Sequence, residues 1–164
     1  MLDSSTDLKS MLSDPSLLQT RAFINNQWVD AENEATFDVK NPARGDVIAQ
    51  VADLTRTDLA RAISGAEIAQ KKWAAISAKE RSNILRAWYN LMMENQADLA
   101  KILTAEMGKP LAESMGEIAY GSSFVEFFAE EAKRNYGETI PGHQADKRIT
   151  VIKQPIGVAA SNTP

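Results

Sequence analysis

The stretch from Ile149 to Ala160 constrains the fold more than any other part of the chain. A β-branched run, Ile149-Thr150-Val151-Ile152, is followed by Lys153-Gln154-Pro155 and then by a second apolar run, Ile156-Gly157-Val158-Ala159-Ala160. Pro155 cannot donate to a β-ladder and Gly157 frees the backbone, so the pattern predicts two strands with a turn between them. The second run is short, uncharged and not alternating, which suits a strand covered on both faces.

Upstream of these strands the pattern changes twice. Residues 1–20 are polar, with Ser13-Asp14-Pro15 near their end, and read as a mobile arm or a short docking helix. Ala22-Phe23-Ile24 and Gln27-Trp28-Val29 flank Asn25-Asn26, a pair that tolerates the left-handed conformation of a tight hairpin turn. Phe37-Asp38-Val39 and Val47–Val51 form a second predicted hairpin around Asn41-Pro42-Ala43-Arg44-Gly45.

From Thr57 the period becomes helical. Leu59, Ile63, Ala66, Gln70 and Trp73 share one face, and Asp58 sits in the first turn, where the helix dipole favours it. Ser77-Ala78-Lys79-Glu80 is a capping box, and Ile84, Leu85, Trp88, Leu91 and Met92 form the next stripe. Asn95 and Asp98 mark a break and a new start, Leu99, Ile102 and Leu103 follow, and Gly108 ends that helix. Pro110 opens a last helix running through Leu111, Met115, Ile118, Phe124, Val125, Phe128 and Ala132 to Gly137. Gly116 and Gly121 within it predict a close helix crossing or strand contact, because each costs up to about 1 kcal/mol relative to alanine.

Composition excludes several functions. With 164 residues the chain is one domain in size, and its net charge of −4 argues against nucleic-acid binding, which needs a basic stripe. No apolar run approaches the roughly 20 residues of a membrane span. Met1–Asp14 carry Asp3, Asp7 and Asp14 and have no basic start with a following apolar block, so they are not a signal peptide and the expected location is the cytoplasm. There is no cysteine, hence no disulfide, no thiolate metal site and no thiol nucleophile.

The remaining candidates favour structure over chemistry. His143 is the only histidine, follows Pro141-Gly142, and has no cysteine or second histidine with which to hold a metal. Glu106-Met107-Gly108-Lys109-Pro110 is a helix stop and a helix start, with no phosphate-cradling glycine pattern to complete it. Glu126, Glu130, Glu131, Lys133 and Arg134 read as a solvated charge run. Trp73, Trp88, Tyr89, Phe124, Phe127 and Phe128 recur at helical spacing and read as core, some of them facing a neighbouring domain.

The run Tyr136–Arg148 leading into Lys153-Gln154-Pro155-Ile156-Gly157-Val158, with Thr163-Pro164 beyond it, resembles the NAD(P)-dependent aldehyde dehydrogenase family from about Arg21 onward. The resemblance implies an α+β fold: the amino-terminal part of the aldehyde dehydrogenase fold, with peripheral β-hairpins, four packed helices and the start of the oligomerisation and nucleotide-binding strands. Residues 21–148 would be the hairpin and helical part of the cofactor domain. Residues 149–164 would be the oligomerisation strand and a truncated first nucleotide-binding strand. It further implies oxidation of succinate semialdehyde to succinate with NADP or NAD, in 4-aminobutyrate breakdown, through a cysteine thiolate that this chain lacks.

By resemblance Asn162, Thr163 and Pro164 would lie beside the nicotinamide and pyrophosphate, yet they lack the glycine turn, helix start and acidic ribose ligand that hold a dinucleotide. No catalytic residue, no metal and no bound cofactor is therefore expected in this chain. Asn162 stands where the family usually has an aliphatic residue, and an unpartnered buried amide costs about 1–3 kcal/mol. The expectation is a truncated dehydrogenase, inactive alone. The alternative is an interaction module or remnant whose strand Ile149–Lys153 pairs with an intact subunit.

Overall fold

The computed structural model describes residues 4–162. Among them are five α-helices and three two-stranded antiparallel sheets, so the expected α+β class holds. Helix α1 (Ser4–Met11) precedes a 3-10 turn at Pro15–Leu17. Of the two readings of the first twenty residues, the helix is present, and Leu8 and Leu12 are buried.

Both predicted hairpins form. Strands β1 (Ala22–Ile24) and β2 (Gln27–Val29) meet across Asn25 and Asn26, whose φ values of 52° and 64° are those of a primed turn. Strands β3 (Thr36–Lys40) and β4 (Val47–Ala52) pair with a register shift between Val39 and Lys40. Asn41 holds their turn, its side-chain oxygen accepting the N–H groups of Ala43 at 2.9 Å and Arg44 at 3.2 Å.

Helix α2 (Arg56–Ala75) begins with a capping box that the sequence reading missed. Thr55 Oγ1 accepts the Asp58 N–H, and Asp58 Oδ2 accepts the Thr55 N–H at 2.9 Å. Helix α3 (Ala78–Glu94) carries the predicted Ser77–Glu80 box, with Glu80 accepting the Ser77 N–H at 2.8 Å. Helix α4 (Gln96–Met107) ends at Gly108 with φ of 76°, as expected. Helix α5 (Leu111–Glu131) stops short of Gly137 and passes into a 3-10 turn at Ala132–Arg134. Pro110 caps it from outside the first turn.

Three expectations about packing are corrected. The aromatic stripes are not the core: Trp88, Phe124, Phe127 and Phe128 are all about half exposed, and the largest fully buried side chains are Asp58, Ser114 and Ser122. Helix α5 instead meets α3 and α4 along a small-residue face, where Ser82, Ala100, Ser114, Ser122 and Ala129 are buried. Small side chains let helix axes approach, which leaves the large ones pointing away. Gly116 and Gly121 lie off that face, with open space where a Cβ would be. Finally, the charges on α5 are not merely solvated, because Arg86 of α3 clasps Glu126 at 2.5 Å and Glu130 at 2.7 Å.

At the carboxy-terminal end, β5 (Glu138–Pro141) pairs with β6 (Arg148–Val151), from Glu138 opposite Val151 to Pro141 opposite Arg148. Strand β6 was expected; its partner was missed. The second predicted strand, Ile156–Ala160, forms no ladder, and Ile156 is 95% exposed. A strand of the buried, non-alternating kind exists only through its neighbours, and no other described segment supplies them.

Candidate functional site

The residues expected at a cofactor lie at the end of a segment that runs over α2. Lys153, Gln154 and Pro155 border a hollow of about 640 Å³ shared with Gln70, Trp73, Arg81 and Asn135. Val158 borders an adjoining apolar hollow of about 580 Å³ with Ala66, Ala69, Trp73 and Ile76. Gln70, the polar break in the α2 stripe, lines both hollows. Arg81 fixes the helix junction beside them by donating to the Ile76 carbonyl at 2.5 Å, where α2 leaves its terminal carbonyls unpaired. Asn162 is exposed, and Thr163 and Pro164 fall outside the described residues.

A dinucleotide needs a helix start whose N–H groups are open to a pyrophosphate. The helices following the hairpins carry acidic residues in their first turns: Asp58, Glu80, Asp98 and Glu113. In α2 and α3 those carboxylates already close capping boxes. The backbone N–H groups of Thr55 and Glu32 hold the buried Asp58 carboxyl below the usual aspartate range, and the Ser77 hydroxyl and N–H do the same for Glu80. Both groups are therefore fixed as anions where a phosphate would have to sit. The starts of α2 and α3 are thus already occupied by the chain's own carboxylates.

No group of three or more His, Cys, Asp or Glu among the described residues could hold a metal. His143 is exposed in the β5–β6 connection. The strongest electrostatic cluster joins Arg86, Glu126, Glu130 and Lys133, with the Arg86 guanidinium also 5.4 Å from the centre of the Tyr89 ring. The Lys133 ammonium, with Arg86, pulls the Glu130 carboxyl down to about 2. Each carboxylate there is engaged with a cation, which makes the cluster a clasp rather than an acid–base pair. Sequence periodicity missed it because Arg86 lies 40 and 44 residues from its partners.

Residues 28–164 match the aldehyde dehydrogenase family. A glutarate-semialdehyde dehydrogenase from Pseudomonas putida is 57% identical over 153 residues, covering 93% of this chain and 32% of that protein. The Escherichia coli NADP+ succinate-semialdehyde dehydrogenase GabD is 56% identical over the same coverage, 93% and 32%. A crystal structure of succinate-semialdehyde dehydrogenase from Burkholderia pseudomallei superposes with a TM-score of 0.86 at 50% identity, covering 90% of this chain and 30% of that one. The chain thus spans about a third of the length of these relatives. Matching hairpins, helices and trailing strands, at this identity and along most of its length, make it a member of the aldehyde dehydrogenase family, corresponding to the amino-terminal part of that fold.

Proposed function

We propose that this chain serves NADP- or NAD-dependent oxidation of an aldehyde that carries a carboxylate at its far end, succinate semialdehyde first, as the amino-terminal third of such a dehydrogenase. The observation that carries this is the 56% identity to the NADP+ succinate-semialdehyde dehydrogenase of E. coli along 93% of the chain. The glutarate-semialdehyde relative, named for a substrate one carbon longer, supports the same chemical class. Within that role these residues build scaffold: hairpins, a helix layer held by Arg86, and the start of strands. They supply no thiol nucleophile, since the sequence has no cysteine.

A chimera tests the proposal. Residues 21–164 replace the matching portion of the E. coli enzyme, and reduction of NADP+ is followed with succinate semialdehyde. The expected result is turnover by the chimera and none above the blank by the 164-residue chain alone. A folded chimera without turnover contradicts it, as does turnover by the chain alone.

A second reading, strand addition to an intact subunit, is favoured by one observation. Every residue of β5 and β6 is exposed, and the pair forms an isolated two-stranded sheet among the described residues. Residues Ile149–Lys153 would then pair edge to edge with a full-length partner. Co-purification with a full-length dehydrogenase, abolished by Thr150→Pro, is the expected result.

A further inference from the structure

The first helix meets the remainder of the chain beside a buried carboxylate. Asp98, in the first turn of α4, is 4% exposed. Its Oδ2 accepts the Asp14 N–H at 2.9 Å, and its Oδ1 takes Lys101 Nζ at 2.9 Å. Lys101 Nζ also donates to the carbonyl of Met11, the last residue of α1, at 2.7 Å. A single carboxylate–ammonium pair thus holds both the end of α1 and Asp14, which caps the 3-10 turn behind it. Leu8 and Leu12 complete the attachment by burial. Beside them lies an open hollow of about 190 Å³, bordered by Leu8, Met11, Ile48, Lys101 and Leu111.

We propose that α1 and the 3-10 turn form a strap that opens as a unit about Asp98, widening this hollow while α3, α4 and α5 stay assembled. Three observations support local opening. An eight-residue helix is too short to persist without its docking contacts. The hollow beside Leu8 leaves α1 incompletely packed against Ile48 and Leu111, and Met11 at its end is 54% exposed. Helices α4 and α5 are joined independently of the strap, by Thr104 Oγ1 to Ser114 Oγ at 2.8 Å and by Gln96 Nε2 to the Met115 carbonyl at 2.9 Å.

Hydrogen exchange on the full chain tests this, because it reads each segment separately. In Asp98→Asn, amides of residues 8–17 exchange about 10- to 100-fold faster, the loss expected for a hydrogen bond to a charged acceptor, and residues 78–131 are unchanged. Lys101→Met, which leaves the carboxylate its backbone donor, gives a smaller rise confined to the same residues. Unchanged exchange at residues 8–17 in both variants overturns the proposal. So does a rise at residues 78–131 in step with the strap in both, since the strap would then not be a separate unit.

Discussion

Gly108 shows how much one residue decides. At φ +76° it ends α4 in the left-handed region, and a Cβ there would come 2.8 Å from Pro42 Cγ. Gly108→Ala is expected to cost about 1–2 kcal/mol, whereas Gly116→Ala, mid-helix in open space, should stabilise by up to about 1 kcal/mol. Denaturant midpoints followed by helix circular dichroism check the pair, and a loss at Gly116 would mean that something packs against it. Gly108, Ser77 and Asn25-Asn26 were legible because cap and turn chemistry is local. Asp58 and Asp98 were only half legible. Their place in a first turn can be read from neighbours, but their burial depends on Glu32 and Asp14, 26 and 84 residues away.

At the scale of elements, period announced the helices but not the faces they bury. The aromatic set was read as core with some of it facing a neighbouring domain, yet α3, α4 and α5 join through serine and alanine. Pattern reports which residues avoid water, not which of them find cover within one chain. The same limit explains the two strand errors. Glu138–Pro141 carries too little apolar signal to reveal itself as the partner of β6, and Ile156–Ala160 signals burial against neighbours that these residues do not contain.

The clasp between α3 and α5 carries a pH signature. Glu130 is depressed from its ordinary 4.5 to about 2, so its folded-state preference is for the anion. Its contribution to stability is complete above about 4.5 and fades as pH falls from there toward about 2. Arg86→Met removes one of the two cations responsible, so the acid limb of the stability curve between those values should flatten and stability near pH 7 should fall. Acid unfolding of the two proteins read by circular dichroism decides this. Superimposable acid limbs would mean that Arg86 does not hold Glu130.

Over the whole molecule the governing quantity is uncovered surface. The chain exposes 12015 Å². A compact monomer of its 18.0 kDa would expose about 8,000 Å². Large side chains contribute to the difference: Ile84, Trp88, Leu91, Phe124, Phe127 and Phe128 on α3 and α5, and Leu59, Ile63 and Ile68 on α2. Apolar area on that scale drives association unless another structure covers it. The family match supplies the reason, since the relatives are about three times as long and the helix layer is only the first part of their fold. Sedimentation velocity of the 164-residue chain by itself, across a dilution series and with an apolar dye added, measures this claim directly. Concentration-dependent oligomers that bind dye are expected; a single sharp monomer with no dye binding and a cooperative melt would show that the chain closes its own core, and would contradict this claim.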